Sequence, residues 1–200
     1  MALTKITGKG IGAVDNLSVD GGTIKLDGNY PTGNFNVAIG DTALDSITDG
    51  SGNVAIGHAT ATALTSGTLN TAVGYIAFDA NTTGSTNTAI GASALSTETQ
   101  GSKSTAVGYG TLSTQNFTSA TDSYNTAVGY NSGASVTTGI QNTLIGGRAG
   151  DAFTDADFNI AIGYNALTAD TKGSRSVAIG RGALATQNFT SATDANNTAV

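Results

Sequence analysis

Short apolar segments, each closed by a glycine, recur along most of the chain. In each segment a polar residue, usually Asn, precedes two branched or polar positions that flank an alanine, which is replaced by leucine in one segment. This alternation is typical of a β-strand with one small side and one branched side, followed by a bend at the glycine. The segments are NVAIG (36–40), NVAIG (53–57), NTAVG (70–74), NTAIG (87–91), STAVG (104–108), NTAVG (125–129), NTLIG (142–146), NIAIG (159–163) and SVAIG (176–180).

The spacing of these segments is nearly constant. Successive closing glycines are seventeen positions apart, as Gly40 and Gly57 are, except for one interval of twenty-one between Gly108 and Gly129. A truncated NTAV at 197–200 implies a second interval of twenty-one. The sequence TQNFTSATD occurs at 114–122 and again at 186–194, within these two longer units. The two copies are 72 residues apart, so the 17-residue period lies within a longer 72-residue period. Internal periods of this kind predict a solenoid.

Each unit contains too few residues for a helix between two strands. A second apolar pair such as Ala94-Leu95 follows the glycine, and a polar turn then closes the unit. Seventeen residues are too short for a β-α-β crossover. We therefore predict an all-β fold, a parallel β-solenoid (β-roll) of 17- and 21-residue coils over residues 34–200, stacked roughly 4.8 Å apart. The four extra residues of the longer coils are expected to form exposed loops that carry Phe117 and Phe189.

Both faces of the predicted strands are apolar, so one face is available for the core and the other for a neighbouring chain. The orientation that we favour puts the branched residues in the core and the alanines against other copies of the chain, while the reverse orientation stays open. Leu144 interrupts the alanine stripe and is expected to bulge or repack. The proposed packing stripe is Ala38, Ala55, Ala72, Ala89, Ala106, Ala127, Ala161 and Ala178.

Residues 1–33 do not follow the repeat. The segment NLSVDGGTIKLDG (16–28) predicts a β-hairpin around Asp20-Gly21-Gly22, and Pro31 follows it. We expect residues 1–33 to cap the first coil, to anchor the rod to another protein, or to do both. Because the last motif stops within a strand, we expect the chain to be part of a longer protein.

Composition excludes several classes of partner. The net charge is −6 and the eight basic residues are scattered, which disfavours nucleic acid and anionic membrane surfaces. The absence of cysteine excludes disulfides and thiolate metal sites. The opening MALTKITGKG lacks the apolar segment of a secretory signal. The sequence contains no apolar run of 18 residues, so we predict no membrane insertion.

The motif resembles two groups of proteins. N-[TSV]-[VTA]-A-[IV]-G is similar to the head repeat of trimeric autotransporter adhesins (YadA-like). The longer NTAIGASALSTETQGSKSTAVG (87–108) is similar to arrays in bacteriophage tail fibres, and MALTKITGKGI resembles the start of phage fibre proteins. The resemblance covers residues 36–200. It implies a homotrimer, assembly in the host cytoplasm, a place in the virion, and attachment to other tail proteins through residues 1–33.

Aromatic residues are the candidate surface contacts. One tyrosine follows the motif glycine in each of four coils, so the four share an edge of the rod. Such a row can stack against the sugars of a glycan, although packing on the next coil is the simpler interpretation. The candidate contacts are Tyr75, Tyr109, Tyr130, Tyr164, Phe117 and Phe189.

Polar residues give weaker indications of chemistry. The recurrent motif asparagines are expected to form a hydrogen-bonded ladder along the rod. The clusters Asp151/Asp155/Asp157 and Asp41/Asp45/Asp49 match no calcium-binding pattern, and we expect solvated turn residues there, as we do for His58. No Ser/His/Asp set or phosphate loop is present. We therefore predict no enzymatic activity, no cofactor and no metal.

The sequence supports three functional hypotheses. The first is the proximal, shaft part of a phage tail fibre that mediates host attachment, with a receptor-binding region located distally and outside this sequence. The second is an adhesin head that binds a surface glycan or protein directly through the tyrosine edge or the phenylalanine loops. The third is a polysaccharide-degrading spike that uses the acidic clusters.

Overall fold

The computed structural model describes residues 35–200 together with the backbone of two short segments, Leu17–Val19 and Gly22–Ile24. All regular structure in the described part is β-strand. The strands are β1 (Leu17–Val19), β2 (Gly22–Ile24), β3 (Val37–Ile39), β4 (Val54–Ile56), β5 (Thr71–Val73), β6 (Thr88–Ile90), β7 (Gly101–Ser102), β8 (Thr105–Val107), β9 (Thr121–Asp122), β10 (Thr126–Val128), β11 (Thr143–Ile145), β12 (Ile160–Ile162), β13 (Gly173–Ser174), β14 (Val177–Ile179), β15 (Thr193–Asp194) and β16 (Thr198–Ala199).

The hairpin predicted near the N-terminus is confirmed. Strands β1 and β2 pair antiparallel, with Leu17 opposite Ile24 and Val19 opposite Gly22. The predicted role of residues 1–33 in capping or attachment concerns a segment that lies mostly outside the described residues.

The motif segments form one ten-stranded parallel sheet, and this confirms the β-solenoid. Its strand order is β16-β14-β12-β11-β10-β8-β6-β5-β4-β3, so each motif lies beside the next one along the chain. The register is strict, since the central residue of each motif pairs with the central residue of the next, as Ala38 does with Ala55. We number the coils 1 to 9 from their first residues, Gly40, Gly57, Gly74, Gly91, Gly108, Gly129, Gly146, Gly163 and Gly180.

The motif glycines from Gly40 to Gly163 are required by close contact with the next coil. Gly74 has a φ of +136°, and a Cβ placed on it would lie 2.7 Å from the carbonyl carbon and oxygen of Gly91 in the next coil. Backbone atoms cannot move aside at this distance without breaking the stack. A side chain is therefore excluded at this corner for both conformational and steric reasons.

Three other positions of the coil adopt the left-handed conformation without requiring glycine. Every described non-glycine residue with a positive φ is the second or fourth residue after a motif glycine, or the residue before the motif polar residue. Ile76 has a φ of 49° although it is β-branched, and its N–H donates to the carbonyl of His58 at 3.1 Å. This conformation costs roughly 1–2 kcal/mol in a free chain, so hydrogen bonds between coils hold it in place.

The orientation that we favoured for the motif strand is wrong, and the reverse orientation is the one observed. The alanines of coils 1 to 8 are sealed inside the chain, from Ala55 at 0% exposure to Ala178 at 0%, while Ile56 and Ile90 are each 37% exposed. The predicted packing stripe is therefore part of the core of a single chain. A 17-residue coil encloses a narrow interior, which alanine fills and which a branched residue on the same strand would overfill.

Leu144 repacks within the core, in agreement with the second of the two outcomes expected for it. It is fully buried beside Gly133 and Gly150, which occupy positions where most other coils have leucine or phenylalanine. A Cβ on Gly133 would lie 2.7 Å from Leu144 Cδ1, and one on Gly150 would lie 2.8 Å from Leu144 Cδ2. The larger side chain therefore takes the space that two glycines leave.

The extra residues of coil 5 are divided between two places. Five residues (116–120) separate Gln115 from β9, whereas two (99–100) separate Glu98 from the paired strand β7. The remaining extra residue lies between β9 and β10. Residues 118–120 form an exposed tip, but Phe117 is only 7% exposed and Phe189 is partly buried. Our expectation that these phenylalanines project as surface contacts is wrong, because the loop turns them inward.

Candidate functional surface

The motif asparagines form the predicted ladder. The N–H of Asn70 donates to Oδ1 of Asn53 at 2.9 Å, and Nδ2 of Asn70 donates to the carbonyl of Gly84 at 2.9 Å. The same pair of contacts recurs at Asn87 and Asn159. Each side-chain amide thus satisfies two backbone groups of the next coil, a carbonyl and an N–H, which accounts for its recurrence.

The ladder is interrupted below each longer coil, where Ser104 and Ser176 replace asparagine. Gln115 fills the first interruption, since its Nε2 donates to Oγ of Ser104 at 2.9 Å and its Oε1 accepts from Asn125 Nδ2 at 2.8 Å. Ser104 and Ser123 hydroxyls also contact each other. A polar side chain from the opposite wall therefore replaces one rung of the ladder.

A buried carboxylate holds the first longer coil in place. Glu98 is fully buried, and its Oε1 accepts from the N–H groups of Gly101 at 2.7 Å and Phe117 at 3.1 Å. Its Oε2 accepts from Gln115 Nε2 at 2.9 Å. Hydrogen bonds to an ionised acceptor are roughly twice as strong as neutral ones, so this network fixes the start of the inserted loop.

The same arrangement recurs before the second longer coil, with a shorter acid. Asp170 accepts from the N–H groups of Gly173 at 3.0 Å and Phe189 at 2.9 Å, and from Gln187 Nε2 at 2.6 Å. Gln187 then reaches Ser176 at 3.2 Å. Our sequence reasoning missed these two networks. The serine in place of the motif asparagine, together with a Gln in the duplicated nonapeptide, is the signal that could have revealed them.

The acidic clusters do not converge on one point. Asp151 accepts from Thr168 Oγ1 at 2.5 Å and from Arg148 Nε at 2.8 Å, while Asp155 pairs with Lys172 at 3.2 Å. Asp157 accepts from the N–H of Ile140 at 2.8 Å. In the Asp41/Asp45/Asp49 cluster, a carboxylate oxygen of Asp41 lies 3.8 Å from His58 Nε2. Among the described residues, no group of three His, Asp or Glu side chains is arranged to hold a metal ion.

Ionisation is perturbed at a few surface groups. Partial burial raises the pKa of Asp157, and the hydrogen bond from Ile140 only partly offsets this. The hydrogen bond to Asp122 raises the pKa of Lys103, and the hydrogen bond to Asp151 raises the pKa of Arg148. Each of these shifts has its cause in burial or in a contact between side chains.

Large apolar side chains are exposed on one face only. All fifteen such residues in residues 35–200 that are more than about a third exposed project from the outer side of the ten-stranded sheet or from its two borders. We call this surface the outer face. Its members are Phe35, Val37, Ile56, Leu69, Tyr75, Ile90, Tyr109, Tyr124, Tyr130, Ile145, Phe158, Ile160, Tyr164, Ile179 and Val200.

The centre of the outer face is made of β-branched residues. One column contains only valine and isoleucine, and the column beside it contains threonine in five consecutive rungs. The hydroxyls of these threonines make no hydrogen bond within residues 35–200, in contrast with the ladder asparagines. The threonines are Thr71, Thr88, Thr105, Thr126 and Thr143.

The borders of the outer face are aromatic. The rings of Tyr109 and Tyr130 stack with centroids 5.5 Å apart and an interplanar angle of 10°, and His58 stacks on Tyr75 at 5.5 Å. On the opposite border, Lys103 Nζ lies 5.0 Å from the ring centroid of Tyr124. The four predicted contact tyrosines are half-exposed on the first border, and their binding role stays a prediction.

The surface near the last coil has one shallow cleft. Its volume is about 160 Å³, and it is lined by Tyr164, Asn165, Arg181, Gly182 and Ala185. It is open to solvent and holds no pair of acidic residues. In the described part of the chain, no helix has the length and apolar character needed to cross a membrane.

Comparisons of the chain with protein-family models, with curated proteins and with solved structures gave no match. The function is therefore inferred from the repeat, from the outer face and from the resemblance carried by the motifs.

Proposed function

We propose that this chain is a structural virion protein, the proximal or shaft part of a bacteriophage tail fibre that mediates attachment to the host cell. The observation that carries the proposal is the unbroken stack of ten in-register parallel rungs. At about 4.8 Å per rung, nine coils give a segment of about 43 Å, and a stack of this kind is a spacer of fixed length.

The residue pattern of the coils supports a mechanical role. The buried polar groups of the ladder and of the two carboxylate networks hold the coils together. We propose that the chain functions as a homotrimer, as the adhesin and tail-fibre resemblance implies. Residues 1–33 would join other tail proteins, and a distal region would bind the host receptor, with three copies multiplying the attachment.

The half-exposed tyrosine border favours a second candidate, an adhesin head that binds a glycan directly. Tyrosine rings combine an apolar face with a polar hydroxyl, and both suit a sugar ring. Of the two routes that we considered for this candidate, only the tyrosine route has exposed side chains, because Phe117 is buried.

The decisive experiment locates the chain in particles. Antibodies against residues 35–200 should label the fibres of purified virions in gold-labelled electron micrographs, and the chain should be found by mass spectrometry of the same particles. Absence of the chain from virions would contradict the proposal. Binding of the purified chain to a glycan array, abolished by Tyr109→Ala and Tyr130→Ala, would favour the second candidate over the shaft.

A further inference from the structure

The residue that follows each motif glycine lies at a corner of its coil, and we call it the corner residue. Corner residues of consecutive coils can stack on each other, as the rings of Tyr109 and Tyr130 do with centroids 5.5 Å apart. Tyr164 and Arg181, the corner residues of coils 8 and 9, make no ring or cation–π contact with each other, and both line the shallow cleft. At this one pair of corners, an aromatic ring and a cation are therefore presented together with open space beside them.

The ring of Tyr164 is supported from the side of the preceding coil. Gly147, the corner residue of coil 7, has no side chain, and a Cβ placed on it would lie 3.3 Å from Tyr164 Cδ2. The tyrosine is nevertheless 50% exposed, and no second ring stacks on it within residues 35–200. A supported and exposed tyrosine offers an apolar surface with a polar hydroxyl at its tip, which suits a sugar ring.

Arg181 differs from the other basic residues of the described coils because it forms no ion pair within residues 35–200. Each of the other four has a nitrogen within 3.2 Å of an aspartate oxygen. A guanidinium presents a planar fork of N–H donors that can bind a carboxylate through two parallel hydrogen bonds. Since Arg181 is exposed at the cleft, a carboxylate from outside the chain can bind it. The four paired residues are Lys103, Arg148, Lys172 and Arg175.

The size and the polar lining of the cleft limit what can occupy it. Its volume of about 160 Å³ is well below the roughly 300 Å³ at which pockets for whole small molecules begin, so it suits one ring of a longer chain. Asn165 also lines the cleft, and its Oδ1 is buried without a donor in residues 35–200. Turning this amide toward the cleft would let a hydroxyl of the ligand donate to it, which removes the cost of an unpaired acceptor.

We infer that the cleft binds one hexuronic acid unit of a polysaccharide. The sugar ring lies against Tyr164, its carboxylate accepts hydrogen bonds from Arg181, and a hydroxyl reaches Asn165. The inference rests on the second candidate function, direct glycan binding at the tyrosine border, and names both the coil pair and the class of sugar. It requires a carboxylate as well as a ring, because the aromatic surface alone would accept neutral sugars equally well.

The first test compares two ligands that differ only in charge. The probe is a tetramer of galacturonic acid, and the control is the same tetramer with its carboxylates converted to methyl esters. Titration followed by the NMR signals of the ligand measures both dissociation constants. The acid should bind at least about tenfold more tightly than the ester, because the ester loses the charge-assisted hydrogen bonds to the guanidinium. Added salt should weaken binding of the acid.

The second test compares matched variants of the protein. Arg181→Gln and Tyr164→Ala should each weaken binding of the tetragalacturonate at least about tenfold. Arg175→Gln removes a cation from the opposite border, and Tyr75→Ala removes a corner tyrosine from coil 3, so both should bind as the wild type does. All four side chains are exposed, and circular dichroism checks that each variant retains the β-structure.

Three results would overturn the inference: no binding of the acid by the wild type at ligand concentrations up to about 10 mM, equal binding of the acid and the ester, or undiminished binding by a folded Arg181→Gln variant. The proposed functions fail by different results. Array binding of neutral glycans that Tyr109→Ala abolishes and Tyr164→Ala does not would keep the second candidate and disprove this inference. A chain that binds the acid through Arg181 but is missing from virions would disprove the fibre assignment alone.

Discussion

The junction of coils 4 and 5 and the junction of coils 6 and 7 both depart from the regular coil, but they do so in different ways. At the first junction the coil is four residues longer, and buried polar groups of Glu98, Gln115 and Ser104 accommodate the change. At the second the length is regular, and Leu144 fills the space left by Gly133 and Gly150.

The difference follows from what each change disturbs. An insertion moves backbone N–H groups away from their usual acceptors, and a buried donor needs a new partner. A change of side-chain volume leaves the backbone register intact, and only a matching change of volume is needed. Buried polar side chains therefore accommodate the displaced backbone at the first junction. At the second junction, an apolar side chain accommodates the changed volume.

Removal of the carboxylate should have the largest effect. Glu98→Ala leaves several buried donors without an acceptor, and each unpaired group costs about 1–3 kcal/mol, so we expect a total loss of about 4 kcal/mol or more. Unfolding in guanidinium at one fixed protein concentration measures this loss in the free energy of unfolding. Glu98→Asp is the matched control, because Asp170 performs the same role in coil 8. An alanine variant as stable as the aspartate variant would refute the network.

At the junction of coils 6 and 7, replacing Leu144 by a smaller residue should leave a cavity. Leu144→Ala removes a fully buried side chain between two glycines, and nothing nearby can fill the space, so we expect a loss of about 3 kcal/mol. The measurement is the same unfolding experiment. As a control, Ala127→Gly in the neighbouring rung removes a single methyl and should cost less.

Restoring the regular pattern at this junction should recover part of that loss. Gly133→Leu alone should be destabilising, because Leu144 occupies the space. The double variant Gly133→Leu/Leu144→Ala should be more stable, by about 1–2 kcal/mol, than the sum of the two single changes predicts. The φ of +60° at Gly133 is no obstacle, since Leu112 has a φ of 48° at the equivalent position. Strictly additive effects would show that the two positions do not share a space.

A carboxylate with few partners should show the smallest effect, with a pH dependence of its own. Burial raises the pKa of Asp157 in the folded chain, so the folded state holds the proton more tightly than the unfolded state. Ionisation as the pH rises therefore destabilises the fold. Asp157→Ser, which introduces the residue found at position 174 of the same column, should raise the melting temperature slightly at pH 7. The gain should vanish below the usual pKa of an aspartate, and a gain independent of pH would contradict this cause.

Much of the fold could be predicted because the repeat is a one-dimensional pattern. Glycine spacing gives the coil length, and the register follows from stacking like residues on like, as with Ala55 on Ala72. The orientation of the strand could not be obtained from hydrophobicity, since both sides are apolar. The motif asparagine could have given the answer, because it shares a side of the strand with the alanine. A ladder such as the one formed by Asn53 and Asn70 must lie inside the coil, and the alanine must lie there too.

The surface was harder to predict than the core. The four tyrosines were correctly expected on one edge, because each follows a corner glycine. Phe117 was expected outside because it belongs to an insertion, and it lies inside because Glu98 binds its N–H and turns the chain. This contact joins residues from two coils, so the sequence of the inserted segment alone cannot show it.

Stacking of the coils in register is the claim on which both the shaft and the outer face depend. Spin labels on cysteines introduced at Ser119 and Ser191, the equivalent loop tips of coils 5 and 9, measure it directly when the labelled chain is diluted with unlabelled chain. Four coils separate the two sites, and the expected result is a narrow distance distribution centred at about 19 Å. A broad distribution, or a centre beyond about twice that distance, would contradict the stacked solenoid.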